Sequence, residues 1–421
     1  MGQSILLSCV GDSDPIRNFH DGALVHIARC LKPTKIVLLQ SERSLKKKNR
    51  VIKALGSIKG YSPEIVDSSY IIKNNDVYQF DRMFEIIDRI VMKYVHKTSE
   101  SDQIILNLTS GTPEMIAAMF SVNRIRGLNV RAFQVMTPNN STNMDVKHDD
   151  DVPIDELIAD NLDDKVGFTR RIVEDKAERY GQELLKKQAR DYVNTYNYGA
   201  ILKMIFSENG IILPKSKRKK VKRIITKIEE NVRYQKNIPE AVELGLSQEE
   251  TNLLSEYLVI QLQTKRQLSS EVLMRVSSLA ELAAKIYLKK RYDDVVEEEK
   301  GRVYLNVSKY PSIARAQGKH AYNAQNLIGY SIILSMLESS ISSPRHLKSD
   351  SVFNKHLKNI IENKKIRNMV SHTLNEVEPN EFDLNKVLDD CYYLVFETLE
   401  ISKAWNDYYD VQNEHLLKLL S

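Results

Sequence analysis

The sequence predicts a Rossmann-like, doubly wound α/β domain followed by helical domains. Short β-branched apolar runs alternate with helical patterns up to about residue 137, and helical periodicity then dominates to the end of the chain. Continuous apolar runs are typical of parallel strands, because both faces of a parallel sheet are buried. We therefore predict an α/β domain over residues 1–150, a helical connecting domain over 151–265 and a helical C-terminal domain over 266–421.

Five apolar runs are the predicted strands, at residues 5–10, 35–40, 64–67, 103–109 and 129–135. With the order 3-2-1-4-5, the strand order reverses between the first and the fourth strand. Ligands of such sheets bind beyond the carboxyl ends of the strands at this point. The sequence therefore predicts a ligand site between the loops at 11–15 and 110–113.

The second of these loops has the composition of a helix start. Thr112 is a favourable N-cap, and Pro113 suits the first helical position. Free backbone N–H groups and neighbouring hydroxyls predict a concavity for a phosphate or a ribose. The hydroxyls belong to Thr109, Ser110 and Thr112. The alternative is a capped strand-to-helix turn that binds no ligand. The chain has neither a GxGxxG nor a Walker sequence, which argues against the common dinucleotide and nucleoside triphosphate sites.

Composition describes an ordinary globular protein. Of 421 residues, 42% are hydrophobic and 28% are charged, and the net charge of +5 permits a polyanionic partner without requiring one. Its cysteines, Cys9, Cys30 and Cys391, are too far apart to suggest a zinc site or a disulfide framework. No apolar segment approaches membrane-spanning length. We expect a cytoplasmic protein with no metal and no membrane partner.

Eight helical patterns follow the first domain, at residues 168–193, 195–208, 217–233, 248–266, 270–292, 321–342, 352–370 and 382–408. The densest charge lies at 215–223, where seven of nine residues are basic. Such a run can neutralise RNA phosphates, although a solvated helix start is the commoner explanation. No aromatic residue interleaves with the run to stack on bases.

Near the end of the chain stands Arg367-Asn368-x-x-x-His372. The histidine can act as a general acid or base while the RNA 2′-hydroxyl attacks the neighbouring phosphate, and the arginine can neutralise the phosphorane. The asparagine can hold a phosphate oxygen or the histidine ring. This spacing also arises by chance, and a basic helix end is the alternative. Two further arginine–histidine pairs, with four to six residues between the two members, are Arg89 with His96 and Arg315 with His320.

The spacing of Arg367 and His372 raises a geometric difficulty. Five residues of straight helix turn the two positions about 140° apart, at 100° per residue. They share one pocket only if the helix bends or ends between them, or if a second copy of the chain completes the site. The pattern therefore predicts an interface between copies.

Taken together, the motifs resemble those of the type III-A CRISPR-associated ribonucleases, which join an N-terminal CARF domain to a C-terminal helical HEPN domain. The likeness lies in Asn-Leu-Thr-Ser-Gly-Thr-Pro-Glu-Met at 107–115, in the helical C-terminal half and in Arg367-Asn368-x-x-x-His372. The motif of this family has a polar residue directly after the arginine. Asn368 meets this, whereas Ile90 and Ala316 at the competing matches do not.

The resemblance implies a homodimer that binds a cyclic oligoadenylate activator and no cofactor. The HEPN dimer would cleave single-stranded RNA without a metal in antiviral defence and leave a 2′,3′-cyclic phosphate. A ring of six adenylates is favoured because of the long helical insertion, with four as the alternative. Ser110 stands where the family often has glycine, which leaves the ring size open. The activator-binding residues implied are Gly11, Asp12, Ser13, Asp14, Gln40, Ser41, Asn107, Thr109, Ser110, Gly111 and Thr112.

The resemblance also implies slow cleavage of the activator by the CARF domain, at the loop of Thr109, Ser110 and Thr112. Two other functions stay open from the sequence. One is a nucleotide-sensing regulator that binds nucleic acid through residues 215–223 without cutting it, although no stable DNA partner is expected. The other is a nucleotide-dependent enzyme that uses the α/β domain alone.

Overall fold

The computed structural model describes residues 2–99, 101–128, 130–138, 151–207, 210–299, 302–313, 326–340, 344–372 and 383–421. Within these, the side chains of residues 298–299, 302, 340, 344–347 and 363–372 lie outside the description. The chain divides into two compact units, Met1–Gly181 and Gln182–Ser421. Our predicted boundary at residue 150 falls before the end of the first unit, and the three-part division stays a prediction.

The first unit alternates strands and helices as predicted. Its elements are β1 (Ser4–Cys9), β2 (Ile16–Arg17), β3 (His20–Asp21), α1 (Ala23–Leu31), β4 (Lys35–Leu39), α2 (Lys48–Gly56), β5 (Glu64–Asp67), α3 (Phe80–Val95), β6 (Gln103–Asn107), α4 (Pro113–Ile125), β7 (Arg131–Val135), α5 (Ile154–Ala159) and β8 (Ile172–Glu174). Strands β2 and β3 form a separate hairpin.

The main sheet has the order β5-β4-β1-β6-β7-β8. Its first five strands run parallel, and β8 pairs antiparallel with β7. The five predicted strands and their order are therefore confirmed. The predicted helix over 168–193 was wrong in its first part, because β8 lies there. Three residues are too few to show a period in sequence, and β8 is held by its pairing with β7.

Alternate side chains of the strands enter two separate cores. Leu7 of β1 packs in a core with α3 and α4, whereas its neighbour Leu6 packs in a core with α1 and α2. A sheet covered on both faces needs apolar residues at successive positions, which explains the continuous apolar runs. Edge strand β5 is the exception, because its four side chains are only partly buried or exposed.

The second unit is mostly helical. From the junction onward the elements are α6 (Glu178–Asn194), α7 (Tyr198–Phe206), α8 (Lys215–Tyr234), α9 (Pro239–Val242), α10 (Gln248–Lys265), α11 (Ser269–Arg291), β9 (Val296–Glu299), β10 (Arg302–Leu305), α12 (Asn326–Ser340), α13 (Pro344–His372), α14 (Leu384–Leu399) and α15 (Tyr408–Leu420). The β9–β10 hairpin was not predicted. The predicted helix over 382–408 is broken after Leu399, where Glu400 adopts a left-handed φ of 55°.

Helix α13 is fixed to three neighbouring helical segments by buried polar side chains. Asp350 accepts hydrogen bonds from Tyr287 and Tyr292, at the end of α11. Asn354 bonds with serines of α12, and His356 Nδ1 lies 2.6 Å from Asp390 Oδ1 of α14. Satisfied polar groups in a core specify one arrangement of its elements. These contacts therefore set the orientation of the helix that contains Arg367 and His372.

We expect Phe353→Ala to destabilise the second unit by about 3–5 kcal/mol, since it removes a fully buried ring. Phe353 is 0% exposed and stacks on Tyr287 with ring centroids 3.8 Å apart. Trp405, the one tryptophan of the sequence, lies in this unit, so its fluorescence during urea unfolding reports on it. Tyr234→Ala is the control at a 70% exposed site, with an expected change within about 0.5 kcal/mol. Equal losses in both variants would contradict the packing described.

Candidate functional site

A polar cavity of about 340 Å³ lies at the carboxyl ends of β1 and β6, at the predicted switch point. It is lined by both predicted loops and by the β2–β3 hairpin. Of the residues predicted to bind the activator, those in its lining are Gly11, Asp12, Ser13, Thr109, Ser110 and Gly111. The lining residues that sequence reasoning missed include Arg17, Asn18, His20, Asp21, Met136, Thr137 and Arg171.

The two loops approach each other so closely that glycine is required in both. A Cβ at Gly11 would lie 2.9 Å from the main-chain nitrogen of Gly111. Gly111 has a φ of +119°, and its Cβ would lie 3.0 Å from that of Cys9. Left-handed φ values are strained for any residue with a Cβ. The glycines therefore let the loops form one wall of the cavity.

Asp14 holds the first loop from within. Its carboxylate accepts main-chain hydrogen bonds from Gly11 at 2.9 Å and from Leu24 at 3.1 Å. Burial raises the pKa of Asp14, and its hydrogen bonds, including one from Ser110, oppose that rise. Asp14 is 2% exposed and is not among the lining residues. Its predicted contact with the activator stays a prediction.

Asn107, the last residue of β6, stabilises the second loop by hydrogen bonds. Its Nδ2 donates to the hydroxyls of Ser8 and Ser110, and its Oδ1 accepts from the main-chain nitrogen of Thr109 at 2.9 Å. Thr112 caps α4 by accepting from the main-chain nitrogen of Met115 and donates to Val77. The hydroxyl of Thr109 accepts from the main-chain nitrogen of Val135. All three loop hydroxyls therefore already have partners within the fold.

Gln40 and Ser41 follow the carboxyl end of β4, the strand next to β1. Gln40 Nε2 donates to Asp67 at 2.6 Å, and Ser41 forms a tight turn with Ser44. Neither residue is among those that line the cavity. Their predicted role in activator binding stays a prediction.

The β2–β3 hairpin was not predicted, because its two-residue strands are too short to show alternation. Arg17 pairs with His20 across the hairpin. Asn18 and Phe19 at its tip have φ values of 48° and 62°, which match the left-handed turns of two-residue hairpins. Phe19 is 56% exposed. An asparagine at the first turn position was the available sequence signal.

Beneath the cavity, Asp21 and Asp163 are the centre of a buried charge network. Arg29 Nε lies 2.6 Å from Asp21, and Arg171 Nη2 lies 2.8 Å from Asp163. The main-chain nitrogen of Asp21 also donates to Asp163. Burial opposes the charge of Asp163, but hydrogen bonds with His26, Arg171 and His20 hold its pKa well below the usual range.

A second histidine, His26, belongs to the same network, with its Nδ1 beside both carboxylates. The main-chain N–H of Arg171 donates to its Nε2 at 3.0 Å, so this nitrogen must carry a lone pair. The nitrogens and oxygens of Asp21, His26 and Asp163 lie close enough to suggest a metal site. However, Arg29 and Arg171 already supply positive charge to both carboxylates. This donor set therefore does not fit a metal ion.

Helix α13 contains all three predicted catalytic residues, Arg367, Asn368 and His372. It runs without a break from Pro344 to His372, but the side chains from 363 to 372 lie outside the described residues. Their predicted roles therefore stay predictions. Of the competing pairs, Arg89 lies on α3, which covers the sheet of the first unit, and His96 caps the end of that helix. Residues 314–325 lie outside the described part.

The basic run at 215–223 opens helix α8. Arg218 lies over the ring of Phe206, with the guanidinium carbon 4.4 Å from the ring centroid. Within the described residues the ion pairs of α8 begin only at Lys227, beyond the run. The run is therefore a charged surface beside an exposed aromatic ring, which the sequence pattern did not show.

Two family models match this chain. The model described as the Cas_Csm6 CARF domain matches residues 64–172, and the model described as the Cas_Csm6 HEPN domain matches residues 239–417. The first match contains β6 and the loop after it, and the second contains Arg367, Asn368 and His372. Both parts of the predicted architecture are thereby confirmed.

Known proteins with similar sequences include two CRISPR system endoribonucleases of Streptococcus thermophilus. The one named Csm6′ is 39% identical over 74% of this chain and 80% of its own length. The one named Csm6 is 31% identical over 99% of both chains. The solved structure of Enterococcus italicus Csm6 bound to cyclic hexa-2′-fluoro-hexa-dAMP covers all of both chains with a TM-score of 0.64 and 19% identity, which shows the same fold.

We expect Gly111→Ala to destabilise the cavity wall by about 1–3 kcal/mol, because an alanine is strained at φ +119° and meets Cys9. Hydrogen exchange of the amides in β6 and α4 measures this loss locally. Gly56→Ala is the matched control, since nothing lies within 4 Å of the added carbon. If these amides exchanged as slowly in Gly111→Ala as in the parent chain, the close approach of the loops would be wrong.

Proposed function

This chain belongs to the Csm6 family of CRISPR endoribonucleases, and from that premise we propose that it is a cyclic-oligoadenylate-activated endoribonuclease of type III antiviral defence. The observation that carries the proposal is the combination of two sites on one chain. A polar cavity occupies the switch point of the N-terminal unit, and Arg367-Asn368-x-x-x-His372 lies within the HEPN match. The first would sense the ring, and the second would cut single-stranded RNA.

The size of the cavity supports binding of the ring by a homodimer. About 340 Å³ is near the lower limit for one drug-sized ligand, and a cyclic oligonucleotide is much larger. A ring of repeated adenylates fits a symmetric site that two copies of the cavity would form around a two-fold axis. Six adenylates are favoured, in line with the ring analogue bound to Enterococcus italicus Csm6, and four are the alternative.

For RNA cleavage, the substrate supplies its own nucleophile. The 2′-hydroxyl attacks the adjacent phosphorus, the bond to the 5′-oxygen breaks, and the product ends in a 2′,3′-cyclic phosphate. His372 would transfer the protons, Arg367 would neutralise the phosphorane, and Asn368 would hold a phosphate oxygen or the histidine ring. These groups need no metal ion for this reaction.

The unbroken course of α13 supports a catalytic site shared between two copies. Five residues of helix turn Arg367 and His372 about 140° apart, so one copy alone presents them to different sides. A partner helix can bring the arginine of one copy to the histidine of the other. Ring binding would then act by favouring the active arrangement of the dimer.

We place this reaction in the cytoplasm, without a stable DNA partner. All three cysteines are free, as expected for a reducing compartment. No helix in the described part of the chain is long and apolar enough to cross a membrane. The proposed division of labour assigns sensing to the N-terminal part, coupling to the helical middle and cleavage to residues 266–421.

The proposal predicts strong activation of RNA cleavage by one ring size. Purified protein with labelled single-stranded RNA and rings of three to six adenylates should cut fastest with six, and EDTA should not reduce the rate. The ends of the products report the 2′,3′-cyclic phosphate. Loss of cleavage in EDTA would exclude the metal-free mechanism. Binding of nucleic acid without cleavage, lost on neutralising residues 215–223, would favour a regulator instead.

A shared catalytic site predicts complementation between inactive variants. Arg367→Ala and His372→Ala homodimers should each lose at least about 10²-fold in rate, since each lacks one catalytic group. A purified heterodimer of the two keeps one arginine facing one histidine, and should recover about half of the parent activity. The matched control is a tagged Arg367→Ala dimer prepared in the same way. Full activity in either homodimer would overturn the residue assignment, and an inactive heterodimer would overturn the sharing.

A further inference from the structure

The β2–β3 hairpin places a proton acceptor and a cation side by side in the lining of the N-terminal cavity. Arg17 and His20 are directly opposite each other in the hairpin, and both line the cavity. Nε of Arg17 is buried and has no hydrogen-bond partner among the described residues. A guanidinium with an unused donor is suited to a phosphate oxygen.

Asp163 fixes the ring of His20. Nδ1 of the histidine lies 3.1 Å from Asp163 Oδ1. A carboxylate that is ionised only accepts hydrogen bonds, so Nδ1 carries a proton, and Nε2 is the nitrogen that holds the lone pair of the neutral imidazole. Asp163 is itself held by Arg171 and by the main-chain nitrogen of Asp21. A carboxylate that orients an imidazole in this way prepares its other nitrogen to accept a proton.

Other groups of the cavity are less suited to this task. The hydroxyl of Thr109 accepts from the main-chain nitrogen of Val135 in β7, and that of Ser110 accepts from Asn107. Asp21 is neutralised by Arg29 and accepts from Asn161. Among the described lining residues, Asp12 is the remaining competitor, and it is exposed beside Arg43 at 3.5 Å.

We propose that His20 is the general base that limits the signal by opening the cyclic oligoadenylate in the N-terminal cavity, an inference that rests on the proposed function. Nε2 takes the proton of a ribose 2′-hydroxyl. The O2′–P bond forms, the P–O5′ bond breaks, and the 5′-oxygen takes a proton from water. The product is a linear oligoadenylate with a 2′,3′-cyclic phosphate and a 5′-hydroxyl.

In the same reaction, Arg17 neutralises the negative charge of the phosphorane. The negative charge on the non-bridging oxygens grows as the 2′-oxygen attacks, so a fixed cation beside the phosphate stabilises the transition state more than the bound ring. The loop residues Thr109 and Ser110 then line the wall of the cavity, and the proton is transferred to His20 of the hairpin.

The test separates the two cleavage sites of the chain. In a His372→Ala background, which removes the proposed RNA-cutting histidine, ring opening is followed by mass spectrometry in single turnover with protein in excess. His20→Gln should slow ring opening by about 10²–10⁴-fold, the usual contribution of a general base. Ring affinity, measured separately by calorimetry, should change less than about tenfold. His96→Gln, at an exposed histidine directly after α3, should keep the parent rate.

Chemical rescue distinguishes proton transfer from a structural role. Free imidazole should restore part of the ring-opening rate of His20→Ala, and it should not affect a variant damaged only in folding. The inference would be overturned by parent-like ring opening in His20→Gln or by the absence of imidazole rescue. It would also be overturned if Asp12→Asn slowed ring opening and His20→Gln did not. A parent chain that binds the ring and leaves it intact would overturn it as well. A chain that binds no ring would instead refute the proposed function, on which this inference rests.

Discussion

The cavity of the N-terminal unit depends on the hydrogen bonds that the carboxylate of Asp163 accepts. This carboxylate is bound by His20, by the main chain at Asp21 and by Arg171, and so connects the β2–β3 hairpin with the segment that leads into β8. A buried carboxylate is costly unless it is paired and fully hydrogen-bonded. Because these partners come from distant parts of the chain, the site forms only when the whole unit has folded.

A similar principle holds in the second unit, where polar side chains fix α13 within an apolar core. Asp350, Asn354 and His356 each contact a different neighbouring segment. Apolar packing alone tolerates small rotations of a helix, whereas a buried hydrogen bond is lost when its partner moves by an ångström. These hydrogen bonds therefore restrict the orientation of the helix that contains Arg367 and His372 more tightly than apolar packing alone would.

Sequence patterns predicted the features that depend on local periodicity. The five parallel strands and the switch-point loops followed from apolar runs and turn residues, and the structure places Gly11 and Thr109 in one cavity wall as expected. The hairpin with His20 and the short strand β8 were missed, because two or three residues show no period. The partnership of Asp163 with His20 was also invisible, since 143 positions separate them and no local pattern records such a contact. The proposed catalytic residues come from motif spacing, and their side chains lie outside the described part of the chain.

The hairpin has a consequence for how this protein family can diversify. Strands β2 and β3 pair only with each other, so substitutions at Arg17, Asn18 or Phe19 leave the register of the six-stranded sheet untouched. The sheet and its helices can then be conserved under selection for folding, while these three positions change under selection for ligand binding. Chains with one architecture can in this way differ in the lining of the cavity, and so in the ligands that it accepts.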